Sequence, residues 1–125
     1  MDSKIERLVS SLRERIGDGL RGVFYGDFRE REYSVAYASE DATEGYSADQ
    51  IRDVVDDVAF EQLHSDRKND LHEPLGRYTA SVEVFEDGIN LIFIETEDAP
   101  TIFVGMDGDV ANVTPALETA RDCLE

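Results

Sequence analysis

Residues 78–106 read YTASVEVFEDGINLIFIETEDAPTIFVGM, three strand-like runs separated by two turns. Tyr78, Ala80, Val82 and Val84 alternate with Thr79, Ser81 and Glu83, the period of a half-buried strand. Asp87-Gly88 then reads as a tight hairpin turn, a pair that suits positive φ at both central positions. Ile89 to Ile94 is almost continuously apolar, and Glu97-Asp98-Ala99-Pro100 turns the chain into the apolar run Thr101 to Met106. Strands buried on both faces read as unbroken apolar runs, whereas half-buried strands alternate. Ile89–Ile94 and Ile102–Val104 are therefore expected at the centre of a sheet. Arg77–Phe85 is expected at its edge.

Working outward, Leu20 to Gly26 is a short apolar strand, and Asp27 to Arg31 is a charged turn. In Glu32 to Ala38, Tyr33, Val35 and Tyr37 alternate with Ser34 and Ala36, so the two segments read as a hairpin with the second strand at an edge. Helices separate and flank these strands. Ser3 and Glu6 form a capping box ahead of Ile5, Leu8, Val9, Leu12 and Ile16, and Gly17-Asp18-Gly19 stops that run. Glu40 to Tyr46 reads as a polar loop. Ser47 and Gln50 form a second capping box before the stripe Ile51, Val54, Val55, Val58 and Ala59. His64 to Glu73 is highly polar, punctuated by Pro74-Leu75-Gly76, and a short extra turn is expected around Arg67 to Leu71. Thr114 reads as the cap of a last helix with Pro115 at its first position, and Leu117, Ala120 and Leu124 supply its buried side. The expected fold is α+β, in the order α-β-β-α-β-β-β-α. Keeping hairpin neighbours adjacent gives a five-stranded antiparallel sheet of order 2-1-5-4-3 with helices on both faces. Residues 1–125 are expected to form a single domain.

Charge is the other decisive reading. The chain carries 29 Asp and Glu against 12 Lys and Arg, a formal net charge of −17 on 125 residues. Lys4 and Lys68 are the only lysines; the remaining cations are arginines. Such self-repulsion opposes a compact state. At multimolar salt it is screened, because the Debye length is already about 3 Å at 1 M. Carboxylates spread along the whole chain, with few lysines, read as adaptation to the salt-in cytoplasm of a halophilic archaeon. The alternative is an acidic interaction surface in a mesophile. Acidic chains poor in apolar residues are disordered, but this one is 41% apolar with six Phe and five Tyr in periodic blocks, and so is expected to fold.

Several function classes lose support. Nucleic-acid binding needs clustered Lys and Arg, and none cluster here. The first residues lack the apolar core of a signal peptide, and no apolar run approaches the ~20 residues of a membrane-spanning helix; a cytoplasmic protein is expected. Cys123 is the single cysteine, so no intramolecular disulfide can form. Its place near the end of the last helix suits a small buried residue better than a nucleophile, which would need a base beside it. His64 and His72 flank a segment with Asp66, Asp70 and Glu73. They could serve a metal-dependent enzyme, but a spacing of eight fits no standard ligand motif, and solvated polar residues are the better reading of the segment. Asp107-Gly108-Asp109 and Asn112 resemble the start of a calcium loop, with Glu118 at position twelve. Ala111 and Val113 stand at ligand positions, however, and Pro115 starts a helix inside the loop, so a strand-to-helix turn is the plainer reading. No phosphate-cradling glycine loop is present. No cofactor or metal is expected.

The order of elements resembles the roadblock family, kin of the longin and profilin folds. Tyr46-Ser47, Leu75-Gly76 and Val84-Phe85-Glu86-Asp87-Gly88 also resemble a family of small acidic haloarchaeal proteins to which no activity is attached. The roadblock resemblance implies a homodimer whose seam is the third strand and the second helix.

Two features independently suggest a partner. Phe60 would project opposite the apolar stripe, among Asp49, Asp53 and Asp56, unless the helix bends near Ala59 and turns it into the core. The Arg77–Phe85 edge has no proline and invites pairing with another chain; Glu83 and Arg77 could equally blunt it. The interface candidates are Val54, Val58, Phe60, Tyr78, Ser81, Val82 and Val84. The leading expectation is a non-enzymatic interaction or regulatory module, homodimeric or bound to another cytoplasmic protein. A small-molecule sensor lined by Phe24, Tyr25, Tyr33, Tyr37 and Phe93 is the second. The salt-in reading predicts unfolding when the protein is diluted from multimolar KCl to low salt, followed by circular dichroism; full structure at low salt would refute it.

Overall fold

The computed structural model describes residues 3–62, 68, 70–94, 96 and 99–124. Helix α1 spans Ser3–Ile16, strand β1 Leu20–Asp27 and strand β2 Glu32–Ala38. Helices α2 and α3 follow at Glu40–Gly45 and Ala48–Gln62. Strands β3, β4 and β5 are Ala80–Phe85, Gly88–Ile94 and Thr101–Met106, and helix α4 closes the order at Val113–Leu124. All sheet pairings are antiparallel, and the strand order is β2-β1-β5-β4-β3, as expected.

The sheet has two apolar faces. On one, Ile5, Leu8, Leu12 and Ile16 of α1 and Ala116, Ala120, Cys123 and Leu124 of α4 pack on Leu20, Val23, Ile89, Leu91, Ile102, Val104 and Met106. On the other, Val55 and Val58 of α3 pack on Phe28, Ile92, Ile94 and Phe103. Successive residues of β4 and β5 thus enter opposite cores, which is why those strands read as unbroken apolar runs. The two helices of the first face are tied together at their rims. Arg15 donates to Thr119 Oγ1 and Glu118 Oε2, both at 3.1 Å, and Arg7 donates to the Asp122 carbonyl at 3.2 Å.

Several local expectations are corrected. Glu40–Gly45 is a helix and not a loop, started by Ser39, whose Oγ accepts from Ala42 N–H at 3.2 Å. The Ser47–Gln50 box forms as expected, with reciprocal bonds of 2.8 and 3.2 Å. The β3–β4 turn is Glu86-Asp87, one residue earlier than Asp87-Gly88, because Phe85 pairs with Gly88. Asp87 and Gly88 are not among the positive-φ residues. Arg21 reaches across to hold this turn, donating to the Asp87 carbonyl at 2.8 Å. Strand β3 begins at Ala80 instead of Arg77, after a 3-10 turn at Glu73–Leu75. The last helix begins at Val113, so Thr114 is not its cap. Asp109 starts the approach by accepting from Ala111 N–H at 3.0 Å, leading a 3-10 turn at Val110–Asn112 straight into α4. Of the extra turn expected at Arg67 to Leu71, Lys68, Asp70 and Leu71 are described and are helical; His64 lies outside the described residues.

One irregularity overrides strand periodicity. Val23 pairs with Tyr37 but Phe24 pairs with Val35, so Ala36 is the extra residue of a bulge. Tyr33 and Val35 therefore lie on the α3 face, where Tyr33 meets the Phe28 ring at 6.0 Å. Tyr37 turns to the α1 face instead, under the Arg13 guanidinium at 5.1 Å. The same hairpin needs glycine at 26. Its φ is +145°, and a Cβ there would stand 2.3 Å from the Glu32 carbonyl oxygen. Gly26→Ala is expected to lower stability by about 1–3 kcal/mol from the backbone conformation alone. Thermal unfolding in multimolar KCl measures it, and an unchanged midpoint would refute the hairpin geometry.

Candidate interaction surface

Strand β3 closes one edge of the sheet, and its outer side shows apolar residues. Val82, Val84 and Phe85 are 42%, 61% and 58% exposed. Register explains the pattern. Val82 and Val84 lie opposite Leu91 and Ile89 on the α1/α4 face, and α1 and α4 cover the buried residues of β4 without covering this edge. Phe85 lies on the other face opposite Gly88, which has no side chain to shield it. Phe85 was missed as a site residue in the sequence. Its signal was the glycine that faces it, and that needs the register to be seen. At the strand's start, Tyr78 is half-buried, with the Lys68 ammonium 4.7 Å from its ring centre. Ser81 is half-buried on the α3 face; its Oγ is enclosed and has no hydrogen-bond partner among the described residues.

The α3 candidates divide. Val58 is 1% exposed, in the core between α3 and the sheet, so it supports the helix from beneath and is not an interface residue of the folded chain. Val54 is half-buried against the same cluster. Phe60 is 63% exposed, so the surface reading holds and the bend into the core does not occur. It lines an open cleft of about 350 Å³ with Arg29, Asp56 and Ala59. Beside it Arg31 grips Asp56 through two bonds of 2.9 and 3.1 Å, tying α3 to the β1–β2 turn. This flank faces that turn. Sheet order separates β1 from β3 by β5 and β4, about 14 Å of sheet. The structure therefore does not bring Phe60 together with β3.

The other candidates fare as follows. The proposed sensor lining is split, with Tyr25, Tyr37 and Phe93 at the α1/α4 core and Phe24 and Tyr33 on the α3 face, so these aromatics form no common pocket. A second open cleft of about 350 Å³ includes Tyr37 alone of that set, with Ser10, Arg13, Glu14, Gly17 and Asp18. Cys123 is buried in the core. Asp107 Oδ1 accepts from Asp109 N–H at 3.2 Å and from Asn112 Nδ2 at 2.9 Å, so the calcium-like motif is a turn fastened by its own side chains. Among the described residues no three His, Cys, Asp or Glu side chains are grouped to hold a metal ion. No helix among them is long and apolar enough to cross a membrane.

The profile of a family described as a domain of unknown function, DUF7522, matches residues 6–125. The chain belongs to this family. No curated protein matches the sequence. Among solved structures, this DUF7522 domain is similar to the gliding protein MglB from Thermus thermophilus, with a TM-score of 0.57 at 14% identity over 99% of this chain and 90% of that one. It is also similar to an MglB structure with a tetrameric arrangement, with a TM-score of 0.52 at 17% identity over 99% and 95% of the two chains. At such identities the likeness establishes the fold, an α+β roadblock/longin-like sheet with flanking helices.

The placements of Phe60 and Val58 predict opposite outcomes for the DUF7522 domain. Phe60→Ser is expected to change stability by less than about 0.5 kcal/mol, and Val58→Ala to cost about 2 kcal/mol. Thermal melts in high KCl separate them, and a large loss for Phe60→Ser would place that ring in the core.

Proposed function

We propose that this chain is a non-enzymatic interaction or regulatory module that works as a homodimer in the cytoplasm of a salt-in, haloarchaeal-type cell. The observation that carries the reading is the β3 edge, where an apolar strand without proline ends the sheet with Val82, Val84 and Phe85 exposed. Natural proteins blunt such edges with charge, bulges or a covering element. Here the bulges lie elsewhere, in the β1–β2 and β1–β5 pairings, and β3 keeps an even register through Phe85. An edge of this kind is suited to adding a strand from another chain.

The fold shared with MglB, including a structure in a tetrameric arrangement, agrees with an assembling module. The α3 flank bearing Phe60, Arg29 and Asp56 is then a second surface, separate from the β3 edge and open to a different protein partner. The charge of −17 fits the salt-in setting. Two such chains repel one another strongly in dilute buffer, so the dimer is expected to need salt.

Light scattering in multimolar KCl is expected to give about twice the 14.0 kDa chain mass. Val82→Asp should reduce it to the monomer mass while circular dichroism stays unchanged, since Val82 is exposed in the single chain. A folded Val82→Asp dimer would move the interface elsewhere.

A further inference from the structure

Of the three long helices on the sheet, α3 is the most thinly held. Helix α1 buries Ile5, Leu8, Leu12 and Ile16, and α4 buries Ala116, Thr119, Ala120, Cys123 and Leu124. These two also pack on each other. Among the described residues of α3, Val55 and Val58 are buried, and Ile51, Val54 and Ala59 are half-buried. Its closest packing is on the turn Phe28–Glu30 between β1 and β2.

Arg31 fastens α3 to that turn. Its Nε and Nη2 donate to the two carboxylate oxygens of Asp56 at 2.9 and 3.1 Å, a two-point clamp between side chains that are both partly exposed. The turn holds Arg31 at a φ of 55°, in the left-handed region where residues other than glycine, asparagine and aspartate are uncommon. Glycine would suit that backbone better, so the arginine is accounted for by what its side chain does. With Arg31 taken away, residues 27–32 carry Asp27, Glu30 and Glu32 against Arg29, and Asp56 meets a net negative turn. Elements with few buried contacts and exposed ties open at a lower free energy than the whole fold.

We infer that α3 is a lid, which leaves the sheet while β4, β5 and the α1/α4 layer stay folded, and that the Arg31–Asp56 clamp sets how often it does so. Opening uncovers Phe28, Ile92, Ile94 and Phe103, an apolar face that the closed chain hides. None of these residues belongs to β3, so the lid does not depend on the dimer.

Two valines of equal burial report the two layers. Val58 of α3 and Val104 of β5, which faces α1 and α4, are each 1% exposed. On a Cys123→Ala background, Val58→Cys and Val104→Cys are made in the full chain and treated with an alkylating thiol reagent in multimolar KCl. Circular dichroism checks that each variant is folded. Val58→Cys is expected to react about tenfold or more faster than Val104→Cys. Asp56→Asn should speed the reaction at 58 about threefold and leave that at 104 unchanged. Arg31→Gly, which keeps the backbone of the turn, should speed it at least as much, and both changes together no more than Arg31→Gly alone. Hydrogen exchange of the unaltered chain makes the same comparison without a cysteine, with α3 amides expected to exchange faster than those of β4. Amides of α3 that exchange no faster than those of β4 overturn the lid, whatever the labelling rates. Faster exchange in α3, with a reaction at 58 that neither Asp56→Asn nor Arg31→Gly alters, overturns the clamp and leaves the lid standing.

Discussion

The structure depends on two-sided burial of the β4–β5 pair. Leu91 faces Val104 in the α1/α4 core, and the next pair, Ile92 and Phe103, faces α3. Each step along this ladder feeds the two cores alternately. Neither layer of helices can be removed without exposing half of the most apolar strands in the chain. The hydrophobic gain, roughly 25 cal/mol per Å² of apolar surface, is concentrated in the middle of the sheet. It thins toward β2 and β3.

That gradient sets which apolar side chains stay exposed. The α1/α4 layer is thick and tied by Arg15 and Arg7, whereas α3 buries Val55 and Val58 and leaves Ile51 and Val54 half-covered. At the β3 side the core ends before the strand does. Val82, Val84 and Phe85 extend a sheet whose covering stops short. At the β2 side, Tyr33 and Val35 are also 39% and 54% exposed, but the bulge at Ala36 breaks the even ladder an incoming strand would need. The two edges are thus unequal templates, and β3 is the regular one.

The acidic surface acts on a different scale. Among the described residues its carboxylates are distributed over helices, turns and loops, and no three His, Cys, Asp or Glu side chains are grouped to hold a metal ion. Where individual carboxylates are engaged, they serve local structure. Asp56 anchors Arg31, Asp107 and Asp109 fasten the approach to α4, and Glu118 receives Arg15.

The sequence by itself determined the sheet. Unbroken apolar runs at 89–94 and 101–106, alternation at 78–84 and the hairpin constraints were sufficient for the strand order, because burial on one or two faces is written directly into periodicity. The Ser47–Gln50 box was legible for the same reason, as a local bond between residues three apart. Tertiary structure decided what depends on register and on neighbours distant in sequence. The bulge at Ala36 sent Tyr37 to the face opposite Tyr33. The helix at Glu40–Gly45 has no apolar stripe to announce it. Phe60 was placed beside Arg29 and away from β3, and Val58 in the core, because the side on which α3 lies is set by its packing on Phe28 and Phe103. Phe85 was left bare because a glycine stands opposite it. Periodicity reports which face of an element is buried; which element does the burying is set by contacts that span the chain.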